Sequence, residues 1–482
     1  MGSRIFFALF FFSIYSSIAF SQNEVVINVQ YIKQLDYQSL PAVQKMKLGE
    51  YGANLNASLF EGNFTPRFNL SLNYAEDKSR QLNRFVPVTS PTKMARIGLM
   101  KNTSYGVSIE GNFLAEQFSN NFLTNSTTVG AEFKVGLDLY KDIFGRTSRK
   151  KLKNLQLENK IKAFEENLFT NQVKINFLKL FWSLVANQES IKITNTLIEQ
   201  AKRQVNVTQE KVNNSISDKG TLARMQSILS SRQGSLNSLH YQKSNLLRSL
   251  RENVPELSQV EIELGNYDIS KTINDVFVCT NVLEQYKAAP LENTNLDEIS
   301  MIQQEISENE NLLADIHDDV DLKLFAQSKV VGKDFDYSNG ITNLKDDPQL
   351  ITQFGVVLSA PLGDNFSNSS KLMKNVAQTK GKITHFETLA KLNSYHLEIL
   401  NSIKVLKLAL KNQAENTESL KESLSSSRLK FTQARIGIEQ LVGEEDAYFV
   451  SEINNISTNL SIIHTLLDYY SVFNLTECSL KN

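Results

Sequence analysis

Charge of one sign is missing from this sequence of 482 residues: 51 Lys and Arg stand against 52 Asp and Glu, a net charge of −1. No basic block of the kind that tracks phosphates occurs, which argues against a nucleic-acid partner. Glycine and proline are scarce, at 20 and 8 residues, too few for two ordinary α/β domains. With 41% of residues hydrophobic, the expectation is an elongated, helix-rich chain. Catalytic groupings are missing too. His240, His317, His385, His396 and His464 are dispersed, with no Ser/His/Asp or Cys/His context around any of them. They read as surface or packing histidines, and no enzyme activity, cofactor or metal is expected. The run Asp318, Asp319, Asp321 lacks the remaining ligands of a calcium loop and reads as a solvated helix end.

Long hydrophobic runs are absent beyond the N-terminus. No stretch of about 18 apolar residues occurs, so a place in a membrane would have to be taken by strands. The N-terminus carries Arg4, an apolar stretch from Ile5 to Phe12, and Ala19-Phe20-Ser21 before Gln22. This is the pattern of a secretory signal over residues 1–21, the apolar stretch being short for an uncleaved signal anchor. No cysteine follows the cleavage point, which argues against a lipoprotein anchor. The two cysteines, Cys279 and Cys478, both fall in the exported part, where a disulfide can persist. Their spacing excludes the usual metal motifs. A long-range disulfide and two independent thiols both fit.

What is present is a strand followed by a very long helix, and it occurs twice. Val129, Ala131, Phe133, Val135, Leu137 and Leu139 alternate with small or polar residues, then the chain turns at Asp142-Ile143-Phe144-Gly145. Phe354, Val356, Leu358 and Ala360 alternate in the same way before Pro361-Leu362-Gly363-Asp364. Period two marks strands with one greasy and one wet face. Gly136 and Gly355 are as far apart as Val212 and Phe431, which end the two helical patterns, so strand and helix have the same combined length in both halves. The first helix, 147–212, spans roughly 66 residues, on the order of 100 Å, a length that calls for a coiled coil or helical tube. Trp182 lies in its middle and is assigned to packing.

The expected layout is therefore a first repeat over 22–255, an irregular equatorial segment over 256–295 and a second repeat over 296–482. In the first repeat a helix from Pro41 and a strand at Phe68, Leu70, Leu72 and Tyr74 precede a long loop at about 76–125, within which Ile97 to Phe113 could form a hairpin. The long helix 147–212 and a return helix 221–252 follow. In the second repeat, strands at about 320–327 and 353–360 lead to a long helix 368–431 and a return helix 441–473. Arg146, Arg149, Lys150, Lys151 and Lys153 crowd the start of the first long helix, either as a solvated face or beside anionic lipid head groups.

This order, and the residues at its corners, resemble the TolC-type outer membrane efflux protein family. The resemblance rests on the strand-to-helix corners, marked by Gly136 and Gly145 and by Gly355, Pro361 and Gly363, and on the helical hairpin tips. The first tip runs through Val212, Ser215, Asp218, Thr221 and Leu222, and the second through Phe431, Ala434, Gly437, Gln440 and Leu441. Ser215 and Ala434 replace the tip glycines of the family, and Thr221 and Gln440 replace its aspartates. Glu444, Glu445 and Asp446 lie close by and are candidates for a displaced acidic constriction. The fold class implied is mainly α with membrane β: an outer membrane β-barrel shared between protomers, continued by a long periplasmic α-helical coiled-coil barrel, with two structural repeats per chain.

Four principal strands cannot close a barrel, because unpaired edges are not tolerated in lipid and the smallest spanning barrels have eight strands. The chain must then oligomerise, and the resemblance implies a trimer with twelve strands. It further implies a cell outer membrane location reaching into the periplasm. The function implied is a passive exit duct for a tripartite efflux pump or type I secretion system, in contact with outer membrane lipids, a periplasmic adaptor and an inner membrane transporter of RND or ABC type. The tips would meet the adaptor. The rival reading is a periplasmic coiled-coil adaptor or scaffold without a pore, but it leaves the doubled module unexplained.

Overall fold

The computed structural model describes residues 24–77, 90–119, 125–258, 260–265, 267–284, 289–291, 294–314, 320–360 and 365–473. Residues 1–21, Pro361, Gly363 and Cys478 lie outside them. The chain opens with strand β1, Glu24–Ile27, helix α1, Val29–Gln34, and helix α2, Pro41–Glu61. Proline at the first turn of α2 suits a position whose N–H would have no helical partner. Strands β2, Arg67–Ala75, β3, Thr92–Asn102, β4, Val107–Phe118, and β5, Ser126–Asp138, follow. The long helix α3, Arg146–Asn213, then returns as α4, Lys219–Asn253. After strand β6, Glu261–Leu264, come helices α5, Ile269–Leu283, and α6, Asn295–Leu313. Strand β7, Asp321–Asp334, helix α7, Tyr337–Asp346, and strand β8, Gln349–Ser359, lead into α8, Asn365–Thr432, and its return α9, Ile438–Val472. The two long helices have 68 residues each and the two return helices 35 each.

The sheet departs from expectation. Six strands, not four, form one antiparallel sheet in the order β2-β3-β4-β5-β7-β8. The region expected as a long loop at 76–125, with a possible hairpin from Ile97 to Phe113, holds two full strands of 11 and 12 residues that join the main sheet; interior glycines obscure their alternation. Strands placed at 320–327 and 353–360 run instead over Asp321–Asp334 and Gln349–Ser359.

The register sorts the side chains onto two faces. One bears Phe68, Leu70 and Leu72, Ile97 and Leu99, Phe113, Val129 and Phe133, Leu324 and Val330, and Phe354, Val356 and Leu358. Its charges, Lys93, Lys101 and Asp334, fall at strand ends or one residue from them. The other face carries Arg96, Glu110, Asn112, Glu116, Glu132, Lys134, Gln327, Lys329 and Gln353. Away from α7, which packs over Val129 and Gly332 on β5 and β7, the apolar face is open: Phe113 is 67% and Phe354 78% exposed. The polar face is the more enclosed, with Asn112 at 4% and Glu132 4.0 Å from Arg96.

The apolar core lies around the middle of α3. Phe181 and Trp182 are buried there, and both meet the Tyr267 ring edge-on, at 5.1 and 6.1 Å. Each such side chain contributes about 1.5–3 kcal/mol by leaving water. The segment at 256–295, expected to be irregular, contributes β6 and α5 to this core. β6 pairs in parallel with β1, so the polar leading stretch of the chain is tied down here too. Cys279, buried in α5, is disulfide-bonded.

No helix among the described residues is long and apolar enough to cross a membrane, and among them no cluster of His, Cys, Asp and Glu could hold a metal ion. Of the run Asp318, Asp319, Asp321, the first two lie outside the described residues, and Asp321 pairs with Lys323 at 2.7 Å.

Candidate functional site

The two helical hairpin tips close in the same way. After α3, the Ile216 N–H bonds the Lys211 carbonyl at 2.7 Å and the Ser215 N–H bonds the Val212 carbonyl at 3.0 Å. After α8, the Arg435 N–H bonds the Lys430 carbonyl at 2.8 Å and the Ala434 N–H bonds the Phe431 carbonyl at 2.9 Å. This pair of bonds requires a left-handed residue just past the helix end, usually glycine. Ser215 and Ala434 take that position, each at φ +59°.

The starts of the return helices differ. Asp218 caps α4, accepting the Thr221 N–H at 2.8 Å and the Thr221 hydroxyl at 2.9 Å. These bonds hold the Asp218 carboxyl below its ordinary value. Gly437 caps α9 without a side chain. The tips sit side by side, since the Lys211 ammonium lies 5.0 Å from the Phe431 ring centre. Ser215, Asp218, Ala434, Gly437 and Gln440 are exposed, Val212, Thr221, Leu222 and Phe431 half-buried, and Leu441 buried.

The acidic trio beside the second tip binds other helices. Glu445 is 3% exposed and accepts from the Gln204 amide at 2.7 Å, with the Arg428 guanidinium 3.5 Å away. Asp446 pairs with Arg232 at 2.7 Å, and the same buried arginine donates to the Leu197 carbonyl at 3.0 Å. Glu444 accepts the Ser423 hydroxyl at 2.8 Å. Together these side chains clasp α9 to α3, α4 and α8. In the single chain all three candidate constriction residues have partners, Glu444 across its own hairpin and Glu445 and Asp446 also with residues more than 200 positions away.

At the other end of α3, Gly145 turns the chain at φ +74°, where a Cβ would fall 1.7 Å from the Ser104 carbonyl oxygen. Gly106, in the β3–β4 turn, is at φ +72°, and its Cβ would fall 2.1 Å from the Asp142 carbonyl oxygen. The turn and the corner thus interlock at backbone distance. Gly136 and Gly355, matched in the sequence, face the same residue of β7, Phe325, from either side. A Cβ on Gly355 would lie 2.5 Å from that ring. The basic cluster joins helices and the corner: Arg149 donates to the Phe144 carbonyl at 2.8 Å, Lys150 to Asn309 at 2.7 Å, and Lys153 pairs with Glu305. His385, His396 and His464 each bond a neighbouring packed group, Ser300, Tyr469 and the Lys179 carbonyl.

The sequence matches no protein-family model and no curated protein. Solved structures do match. The outer membrane protein VceC from Vibrio cholerae is similar at 10% identity and a TM-score of 0.66, over 92% of this chain and 95% of that one. The CmeC outer membrane channel of Campylobacter jejuni is similar at 13% identity and a TM-score of 0.64, over 92% and 85%. The MtrE outer membrane channel of Neisseria gonorrhoeae, in its open state, is similar at 11% identity and a TM-score of 0.60, over 92% and 88%. The fold is that of the TolC-type outer membrane channels. None of the geometry described above forms a catalytic constellation.

Proposed function

We propose that this chain is a passive outer membrane and periplasmic exit duct, assembled as a homotrimer and serving a tripartite efflux pump or a type I secretion system. The observation that carries this reading is the open sheet with one apolar and one charged face. An open sheet in lipid leaves its edge N–H and C=O groups unpaired, which costs several kcal/mol per group. β2 and β8 are those edges, and they run in opposite directions, so β8 of one copy can pair antiparallel with β2 of the next. Closure puts the apolar face against lipid and the charged face around water.

The helices support the same arrangement. Leu48, Leu55 and Leu59 of α2 and Leu372, Val376, Phe386 and Leu408 of α8 are all more than half exposed in the single chain. Such apolar stripes fit burial against a second copy. The matching lengths of the two long helices and of the two return helices fit two repeats lining one tube. In this reading the tips meet a periplasmic adaptor, which couples the duct to an inner membrane transporter of RND or ABC type, and the clasp around Glu445 and Asp446 holds the hairpins in one of two packings. Selectivity then resides in the pump.

Single-channel recording in a planar bilayer tests the proposal. Discrete conductance steps from the detergent-extracted protein are expected. A protein that stays soluble without detergent and forms no channels would overturn it in favour of a periplasmic adaptor or scaffold.

A further inference from the structure

We infer that the β3–β4 hairpin crosses the membrane, so that the trimer closes an eighteen-stranded barrel of porin width rather than a twelve-stranded one. This rests on the reading of the chain as an oligomeric channel and adds to it the strand count and the width of the outer mouth. Four observations carry it.

First, β3 and β4 are the second and third strands of a continuous ladder, so they cannot be a loop folded over the sheet. Second, at 11 and 12 residues they meet the roughly 9–11 residues that a tilted spanning strand needs. Third, they keep the two faces in phase. Ile97, Leu99 and Phe113 continue the apolar surface between Leu70 and Phe133, while Arg96, Glu110 and Glu116 continue the charged one.

Fourth, the hairpin is oriented like those of membrane barrels, which have short periplasmic turns and longer outer loops. Its turn, Thr103 to Gly106, is at the helix end of the sheet, where Gly106 and Gly145 lock it to the start of α3, and the Asp138 N–H bonds the Gly106 carbonyl at 2.9 Å. The connections at the far end are longer, over 76–91, 119–125 and 335–348.

Six strands from each of three copies make eighteen. Barrel diameter grows roughly linearly with strand number, so the mouth is about half as wide again as that of a twelve-stranded barrel, in the size class that leaves an aqueous channel. The outer membrane section then does not limit passage. The mixed charges of Arg96, Glu110, Glu116, Glu132, Lys134 and Lys329 line that wide section.

The test uses the full chain in phospholipid vesicles, with Phe113→Cys, Ala115→Cys, Glu110→Cys and Glu116→Cys made singly and the unsubstituted chain as background. Positions 113 and 115 are expected to resist a water-soluble maleimide and, once carrying a fluorophore, to be quenched by brominated lipid. Positions 110 and 116 are expected to show the reverse. If all four react with the maleimide while the assembly remains a conducting trimer, the hairpin lies outside the membrane: the inference falls and the duct stands. If the protein neither inserts nor conducts, both fall together.

Discussion

Ser215 and Ala434 hold a left-handed backbone that a Cβ disfavours by roughly 1 kcal/mol or more, and both occupy the turn where glycine is the usual choice. Glycine relieves that strain but adds freedom to the unfolded chain, which offsets part of the gain. Ser215→Gly and Ala434→Gly are each expected to stabilise their tip by about 0.5–1 kcal/mol, read as slower amide exchange at 211–217 and 430–436. Faster exchange would place the strain elsewhere. His464 carries a pH dependence. Burial holds its imidazole below the ordinary 6.5; the hydrogen bond to the Lys179 carbonyl and the Asp468 carboxylate oppose that shift, and the Lys179 ammonium adds to it. A folded pKa below the unfolded one means that the unfolded state binds more protons in the window between them. Stability is therefore expected to fall as pH drops below about 6.5, and His464→Gln is expected to flatten that slope in thermal melts. An unchanged slope would assign the acid sensitivity to other groups.

At the scale of elements, the proposed duct would make the clasp at the second tip a point of control. A hydrogen bond to a charged group contributes about 1.5–3 kcal/mol, and Gln204–Glu445 and Arg232–Asp446 span helices that must separate if the hairpins part. Glu445→Gln combined with Arg232→Leu is expected to lower the melting temperature and raise single-channel conductance. A lower melting temperature with unchanged conductance would make the clasp purely structural. Much of the helical layout was legible in sequence, because four uninterrupted patterns and two turns leave few alternatives. The clasp was not: Glu445 and Asp446 find partners more than 200 positions away, and nothing local marks them as paired. The β3–β4 hairpin was only half legible. Gly98 and Gly111 break its alternation, and Met94, Met100 and Leu114 put apolar side chains on the wet face, so period two is blurred. The left-handed turns at Ser215 and Ala434 were signalled by the resemblance of the tips and not by the residues, neither of which favours that conformation. The interlock of Gly106 with Gly145 joins two segments that the sequence keeps apart.

For the whole molecule, the proposed duct rests on one requirement: in lipid, a sheet with an apolar face and two open edges needs copies of itself to close it. The exposed apolar stripes on α2 and α8 fit the same proposal, and the equal lengths of the paired helices would allow the copies to continue as one tube. The most direct measurement is the mass of the detergent-extracted mature protein, by native mass spectrometry. The expected result is three chains per particle, with no stable species in the absence of detergent or lipid. A monomer that stays in solution without detergent would contradict a shared barrel, and with it the duct.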